Sequence, residues 1–293
     1  MSRSLTVLDP GPCTTVQDRG RPGWAHLGVP RSGALDPMAA ALANRLVGNA
    51  EAAALLETTL GGVRVRAGAA MTVAVTGAEA AVLVAGHQRA FGEPLTLRAG
   101  DQLTVGPARW GVRSYLAVAG GVAVDEVLGS RSTDTLSGTG PGVLRAGDVL
   151  PVGEPSGAPA ALDVAAVRRP ASPLCLRVHV GPRADWFTDG AAGTLLTSTY
   201  TVSEQSNRVG LRLRGPRLAP AEHRLSPEGV TAELPSEGIV LGAVQVPASG
   251  EPVVFLHDHP TTGGYPVLAV VSPDDIGGCA QLRPGDRVRF TAW

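Results

Sequence analysis

Short apolar runs, separated by polar residues and by frequent Gly and Pro, dominate the chain. Alternation of apolar and polar positions favours strands, and Gly and Pro between the runs favour tight turns. The predicted strands cover residues 71–76, 81–85, 102–105, 114–119, 174–180, 209–213, 253–256 and 267–271. The pattern therefore predicts a mainly β protein.

Helical periodicity is scarce and is clearest over residues 36–56. Asp36 is a favourable N-cap, Pro37 suits the first helical position, and residues 38–47 are rich in Ala and Leu. Gly48 ends this helix, and Asn49 is expected to cap a second short helix over residues 50–56. We expect a small helical insert within a β-rich domain.

A change of composition divides the chain into two predicted domains. Residues 156–173 are rich in Pro, Ala, Gly and Ser and serve as the predicted linker between domains at 1–155 and 174–293. The pattern Leu-Arg-x-Gly-Asp occurs at 97–101, 144–148 and 282–286, each time before an apolar strand. Each copy predicts a tight turn, with Gly in a strained torsion and Asp bonded to nearby amides. The recurrence favours two related β-barrel-like units.

Charge and composition exclude several functions. The 293 residues carry a net charge of -1 with no basic stripe, which argues against a nucleic-acid partner. All 25 basic residues are arginine, so the chain has no Walker A lysine, Schiff-base lysine or biotinylated lysine. Three widely spaced cysteines fit a reducing compartment. With no long apolar run and no apolar leader, we expect a cytoplasmic protein without a membrane partner.

The polar segment at residues 14–36 is the first candidate site. Arg19 would bind a carboxylate or phosphate with Asp18 orienting it, or the two would form a structural pair. Gly33 precedes a helix N-terminus, whose free amides attract anions. Asp36 would either cap that helix or take part in catalysis.

Two further segments of the first half carry candidate chemistry. Arg131, Ser132 and Thr133 would form an oxyanion cradle or a hydrogen-bonded loop. Glu57 would be a buried acid or a solvated glutamate at the end of a helix. Residue types alone leave both pairs of alternatives open.

The second half offers a matching set of polar groups. Arg208 precedes a strand, and Glu237 and Gln245 converge if their strands share a sheet. Residues 261–265 (Thr261, Thr262, Gly263, Gly264, Tyr265) form either a structural turn or an anion-binding nest flanked by two hydroxyls and a phenol. An extended strand at residues 257–259 would place two histidines on one face, but no third ligand is identifiable, so no metal site is expected.

These motifs together resemble the allophanate hydrolase subunit 2 family, also called biotin-dependent carboxyltransferase-like, which includes the C subunit of 5-oxoprolinase and the regulator KipA. The resemblance begins with Leu-Asp-Pro-Gly at 8–11, Thr-Thr-Val-Gln-Asp-Arg-Gly-Arg at 14–21, Gly-Val-Pro at 28–30 and Ser-Gly-Ala-Leu-Asp at 32–36. It continues through residues 44–49, 129–134, 236–238, 245–247 and 261–266. One departure is Val209-Gly210-Leu211, where members usually carry a Met-Gly-Tyr-like run.

The resemblance implies two cyclophilin-like β-barrel domains with a few short helices. It also implies two partners, namely a family-1 or KipI-like sister chain (the B subunit of 5-oxoprolinase) and the A subunit of the same enzyme. Complexes of the 5-oxoprolinase type open the lactam of 5-oxo-L-proline to L-glutamate with ATP, which we expect to be held with partner subunits. Urea carboxylase relatives transfer a carboxyl group to urea. Without lysine, this chain carries no covalent biotin.

Our first hypothesis is therefore a subunit of an ATP-dependent, lactam-cleaving complex that acts on a small molecule. The candidate catalytic residues are Asp36, Glu237 and Arg131. The candidate substrate- and nucleotide-binding residues are Arg19, Gly33, Ser132, Thr133, Arg208, Gln245, Thr261, Thr262, Gly263, Gly264 and Tyr265. Loops from both halves are expected to form one polar crevice. The alternatives are a carboxyltransferase subunit for urea-derived amides and a KipA-like regulatory binding protein.

Overall fold

Strands account for 36% of the residues and helices for 12%, which confirms the mainly β prediction. The computed structural model describes residues 3–159, 169, 171–225 and 234–293. They form two units, one of residues 3–22, 32–159 and 169, the other of residues 23–31, 171–225 and 234–293. Most of the linker predicted at 156–173 lies outside the described residues. The structure groups residues 23–31 with the second unit, although the sequence placed them in the first domain.

The first unit contains one helix and two sheets. Helix α1 spans Pro37–Leu46. The strands are β1 (Ser4–Asp9), β2 (Cys13–Gln17), β3 (Leu55–Thr59), β4 (Arg64–Ala67), β5 (Met71–Gly77), β6 (Ala80–Val84), β7 (His87–Arg89), β8 (Leu95–Leu97), β9 (Gln102–Ala108), β10 (Arg113–Val118) and β11 (Val149–Pro151). One sheet has the order β11-β1-β4-β9-β6-β7, and the other has the order β2-β3-β10-β5-β8.

The five-stranded sheet of this unit is buried on both faces. Successive residues of a strand point to opposite faces, so Leu116 and Val118 of β10 join the core shared with the six-stranded sheet. Tyr115 and Ala117, which alternate with them, instead pack with α1 residues such as Leu46. This double burial explains why every residue of β10 is buried.

Helix α1 forms where the sequence predicts it. Oδ1 of Asp36 accepts a hydrogen bond from the amide of Ala39 at 3.0 Å, and Pro37 occupies the first helical position. Gly48 follows the helix with a φ of 76°, a torsion that Gly adopts without a steric penalty.

The second helix predicted over residues 50–56 is wrong. The chain instead turns after Asn49 and enters β3, where Leu55 joins the core beside α1 and Leu56 joins the core between the sheets. Asn49 does not cap a helix, because its side-chain Nδ2 donates to the carbonyl of Val118 and its Oδ1 accepts from the backbone amide of Gly120. Sheet pairing has overridden a short run of good helix formers.

The second unit is built around a closed barrel. Its helices are α2 (Ala191–Thr197) and α3 (Pro273–Cys279), with 3-10 turns at Ala25–Leu27, Ala184–Trp186 and Glu222–Arg224. Its strands are β12 (Leu174–Val180), β13 (Thr199–Val202), β14 (Gly210–Arg214), β15 (Glu237–Gly238), β16 (Ala243–Gln245), β17 (Val253–Phe255), β18 (Thr262–Gly263), β19 (Val267–Val271) and β20 (Arg287–Ala292).

Seven of these strands close the barrel in the order β12-β19-β16-β17-β14-β13-β20. Strand β12 completes the ring because it pairs antiparallel with β19 and parallel with β20. In β20, Val288 and Phe290 are fully buried and alternate with the exposed Arg287 and Arg289. Strands β15 and β18 form a separate two-stranded sheet.

The three Leu-Arg-x-Gly-Asp motifs form the predicted turns with one shared geometry. In each, the Asp carboxylate accepts from the Arg amide at 2.7 Å, and the Gly has a φ between 88° and 96°. The turns lead into β9, β11 and β20. None of the helices in the described ranges combines the length and hydropathy needed to cross a lipid bilayer.

The carboxylate of Asp18 joins two loops of the first unit. Its Oδ1 accepts from the amide of Gly20 (2.7 Å) and from the hydroxyls of Ser130 (2.6 Å) and Ser132 (2.5 Å). Its Oδ2 accepts from the amide of Arg131 at 2.6 Å. One side chain therefore holds the end of β2 against residues 130–132.

We predict that Asp18→Ala lowers the free energy of unfolding of the purified chain by roughly 2–4 kcal/mol, because several partly buried donors lose a charged acceptor. Urea denaturation measures the change. Asp125→Ala, at an exposed position of the same unit, is the matched control and should change stability little. Equal stability of the two variants would contradict the role given to Asp18.

Candidate functional site

The first unit gathers several of the residues that the sequence singled out. The hydroxyl of Ser132 and the amide of Arg131 both bind Asp18. The carbonyl of Thr133 accepts from the side chains of Gln17 (2.9 Å) and Ser32 (2.8 Å). Residues 130–133 therefore form a hydrogen-bonded loop against the end of β2.

Gly33 lies against the backbone that follows β2. It has a φ of 103°, and a Cβ at this position would come within 3.0 Å of the backbone at Arg19 and Gly20. Gly33 thus permits a close approach of two backbone segments. No side chain fits there without displacement of that backbone.

The two arginines proposed as anion-binding groups in this unit already contact carboxylates. Arg19 lies 2.8 Å from Glu51, and its side chain is 65% exposed. Arg131 lies 2.8 Å from Glu126, and its Nε donates to the carbonyl of Val124. The carboxylate of Asp18 accepts the hydrogen bonds described above and makes no ion pair with Arg19 among the described contacts. Both guanidinium groups are therefore engaged within the chain.

A buried acid lies behind the cap of α1. Glu57, on β3 and 2% exposed, accepts from the amide of Leu35 and from the hydroxyl of Tyr115, both at 2.9 Å. Arg113 lies 3.6 Å from its other carboxylate oxygen. Glu57 is thus the buried acid of the two alternatives, held by an arginine and a phenol that the sequence did not indicate.

The phenol of Tyr115 connects this acid to Asp36. It accepts from the amide of Asp36 at 2.7 Å, while Asp36 itself caps α1. Burial, followed by the negative charge of Glu57, raises the pKa of Tyr115 well above its usual range, so the phenol stays protonated. These contacts give Asp36 a structural role at the start of α1, and its catalytic role stays a prediction.

The second unit brings Glu237, Gln245 and residues 261–265 into one cluster, which we call the Gly263 cluster. Glu237 of β15 pairs with Gly263 of β18. Nε2 of Gln245 donates to the carbonyl of Tyr265 at 3.0 Å and lies 3.0 Å from where a Cβ of Gly263 would be. Thr261 joins through its carbonyl, which accepts from the amide of Ile239. The shared sheet assumed for Glu237 and Gln245 is wrong, because Glu237 lies in the two-stranded sheet and Gln245 lies in the barrel. The two residues are instead both next to Gly263.

The glycine pair at residues 263–264 does not form the predicted nest. A nest built from successive amides needs a residue in the left-handed region, and neither Gly263 nor Gly264 has a positive φ. Gly263 is instead extended in the β15–β18 pair. Its lack of a side chain makes room for Gln245 and Ile239.

Arg183 is a member of the Gly263 cluster that the sequence did not indicate. It contacts Glu237 through two hydrogen bonds, one from Nε to Oε2 at 3.0 Å and one from its terminal nitrogen to Oε1. The hydrogen bond from Arg183 lowers the pKa of Glu237, so the carboxylate is ionised at neutral pH. The sequence signal for Arg183 was its position in Gly181-Pro182-Arg183, directly after strand β12. The ion pair with Glu237 could not be predicted from it, because Glu237 lies 54 positions away in the sequence.

A buried ion pair includes a residue just before residues 261–265 of this cluster. Arg208 (4% exposed) and Asp258 (fully buried) make two hydrogen bonds, Nε to Oδ2 at 2.8 Å and a terminal nitrogen to Oδ1 at 2.9 Å. Residues 257–258 form a turn, with the amide of His259 bonded to the carbonyl of Leu256, so the extended strand assumed for residues 257–259 is wrong. Within the described ranges, no group of His, Cys, Asp and Glu is arranged to hold a metal ion.

His257 is buried beside this ion pair and is 4% exposed. Burial, then the positive charges of Arg208 and Arg31, lowers its pKa from 6.5 to about 3, against a smaller opposing effect of Asp258. The imidazole is therefore neutral at physiological pH. Each unit thus carries a polar cluster of its own, and the single crevice expected from the sequence stays a prediction.

The fold is that of a carboxyltransferase-type domain. Residues 27–292 match the family model described as carboxyltransferase domain, subdomain A and B, and the chain belongs to this family. It is 37% identical over 289 residues to the C subunit of 5-oxoprolinase from Escherichia coli (strain K12), a match that covers 98% of this chain and 90% of that protein. The family resemblance drawn from the sequence motifs is confirmed.

Solved structures agree with this assignment. The chain is similar to TTHA0988, with a TM-score of 0.86 and 37% identity, over 99% of this chain and 55% of that chain. It is also similar to the K. lactis urea amidolyase, with a TM-score of 0.89 and 32% identity, over 99% of this chain and 18% of that chain. The chain therefore spans about half of one solved relative and less than a fifth of the other.

The neutral, buried state of His257 predicts how the folding stability depends on pH. Below pH 6.5 the unfolded chain gains a proton on this residue while the folded chain does not, so folding stability decreases as the pH falls from 6.5 toward 3. Between about pH 8 and about pH 5 this loss is on the order of 2 kcal/mol. We expect His257→Gln to remove this part of the pH dependence, as measured by urea denaturation.

His87→Gln, at an exposed position on β7, is the control and should keep the wild-type pH profile. Direct titration of the imidazole by NMR provides a second measurement. A His257 resonance that titrates near pH 6.5 in the folded chain would contradict the neutral, buried state.

Proposed function

We propose that this chain is the C subunit of an ATP-dependent 5-oxoprolinase complex and helps to cleave 5-oxo-L-proline to L-glutamate. The observation that carries the proposal is the 37% identity to the E. coli C subunit over nine-tenths of that protein. A protein named as one subunit of an enzyme implies partner subunits, which we propose to be the family-1 or KipI-like B subunit and the A subunit. We further propose that the complex is cytoplasmic.

The reaction needs a nucleophile, a polarised carbonyl and a proton for the leaving nitrogen. Water adds to the lactam carbonyl, the ring C–N bond breaks, and the nitrogen takes a proton, which gives the amine and side-chain carboxylate of glutamate. In the Gly263 cluster, the ionised carboxylate of Glu237 is our candidate to orient water. The hydroxyl of Thr262 and the phenol of Tyr265, both at exposed positions, are candidates to contact the lactam.

ATP supplies the driving force when it is bound, and the residues that the sequence singled out for it do not fit it. The predicted nest is not formed, and the chain has no lysine. The three arginines proposed for the nucleotide, Arg19, Arg131 and Arg208, contact Glu51, Glu126 and Asp258 respectively. We therefore propose that partner subunits hold the ATP.

A carboxyltransferase role for urea-derived amides is the second candidate, favoured by the family model and by the urea amidolyase relative. Since these 293 residues include no lysine, the biotin would have to be attached outside them. Carboxylation of urea that depends on an added biotinylated carrier would support this candidate. Indifference to the carrier would exclude it.

We predict that the reconstituted complex releases ADP in a 5-oxo-L-proline-dependent reaction and that omission of this chain abolishes the release. Co-expression with the proteins encoded by its genomic neighbours, followed by purification and subunit omission, provides the measurement. Omission of each proposed partner is the matched comparison. Activity without this chain, or no activity with 5-oxo-L-proline in the full complex, would contradict the proposed function.

We also predict that Glu237→Gln lowers kcat of the complex at least about a hundredfold, because the neutral amide cannot accept a proton from water. Glu204→Gln, at an exposed position of the same unit, is the control and should keep wild-type turnover. Equal melting temperatures would show that both variants fold. Wild-type turnover of Glu237→Gln would remove this residue from the proposed mechanism.

A further inference from the structure

Arg31 has no carboxylate partner in the part of the chain that the structure describes. It ends the segment of residues 23–31 that belongs to the second unit. The side chain is partly buried, and its Nε is fully buried without a hydrogen-bond acceptor. A buried N–H of a charged guanidinium is costly without an acceptor, so an arginine in this position is suited to an anion from outside the chain.

The neighbourhood of Arg31 contains a second buried donor or acceptor without a partner. Nδ1 of His257 is buried and makes no hydrogen bond among the described residues. The charge of Arg31 acts on this imidazole, which places the two side chains in one electrostatic environment. The same segment passes Thr261, since a Cβ on Gly28 would lie 4.0 Å from the hydroxyl oxygen of that residue.

The charges around His257 sum to a positive environment. The groups that act on it are Arg208, Arg31, Asp258 and His259. Asp258 makes two hydrogen bonds to Arg208, so these two opposite charges lie side by side. Among the described residues Arg31 has no ion pair, so a single added negative charge would balance it.

We propose that Arg31 and His257 form a subsite for the carboxylate of the substrate, with Thr261 at its edge. The inference rests on the proposed function, since 5-oxo-L-proline is a lactam that carries one carboxylate. A guanidinium pairs with a carboxylate through two parallel hydrogen bonds, and a neutral imidazole adds a further N–H donor. The chain runs directly from His257 to the Gly263 cluster, which would receive the lactam ring.

Binding of a carboxylate would also change the protonation of His257. An anion beside the imidazole opposes the two guanidinium charges, so it raises the pKa of His257 from its depressed value. The subsite therefore links substrate binding to proton uptake at low pH. This linkage gives a readout that does not depend on turnover.

The test compares Arg31→Gln with the wild-type complex. We expect the variant to bind 5-oxo-L-proline at least about tenfold more weakly by calorimetry, with KM raised by a similar factor and kcat changed little. Binding of 2-pyrrolidinone, the same lactam without a carboxylate, should be equal in the two proteins. Arg289→Gln, on the exposed side of β20, is the matched control. Unchanged binding of 5-oxo-L-proline to Arg31→Gln would overturn the subsite.

A second measurement separates this inference from the proposed function. Histidine NMR spectra of the purified chain, with His257→Gln for assignment, are recorded with 5-oxo-L-proline, acetate and inorganic phosphate. Shifts of His257 with the two carboxylates in the wild type, absent in Arg31→Gln, would support the subsite even if the complex acted on another substrate. A response to phosphate alone, or the same response in both proteins, would overturn it.

Discussion

The buried ion pair between Arg208 and Asp258 is the constraint on which the candidate site of the second unit depends. It joins the start of β14 to the turn after β17, and the amide of Asp258 also donates to the carbonyl of Arg208. Removal of two charges from water is costly, and the cost is met here by paired hydrogen bonds. Loss of one partner from such a pair typically costs about 3–5 kcal/mol, because the other charge stays buried. The turn is therefore fixed, and so is the start of the segment that leads to Gly263.

The same pair determines the electrostatics of the site. His257 is held neutral by burial first and then by the positive charges of Arg208 and Arg31, and the negative charge of Asp258 opposes them only in part. The Gly263 cluster that follows contains its own ion pair, Arg183–Glu237, which is partly exposed. One pair is thus structural and buried, while the other keeps an ionised carboxylate at a position that solvent reaches.

The sequence predicted the parts of this structure that local physics determines. The cap at Asp36, the three Leu-Arg-x-Gly-Asp turns and the alternating strands need only neighbouring residues, and the structure has them. The helix predicted at residues 50–56 failed because pairing with β2 and β10 outweighed helix propensity. The partners of Arg131, Arg208 and Glu237 were likewise beyond prediction from residue types, since each depends on tertiary pairing. Arg31 is a comparable case, because what distinguishes it is the lack of a partner among the described residues.

The distribution of positive charge argues for a division of labour between this chain and its proposed partners. An exposed pair such as Arg19–Glu51 contributes about 0–1 kcal/mol and exchanges readily with solvent, whereas Arg208 cannot leave Asp258 without exposing a buried charge. Triphosphate binding needs several preorganised cations or amides, but the chain has no lysine and the nest predicted at residues 263–264 is not formed. One guanidinium without an ion pair among the described residues matches one carboxylate far better than it matches a triphosphate. These charges support the proposed role in binding the lactam acid, with the nucleotide held outside these residues.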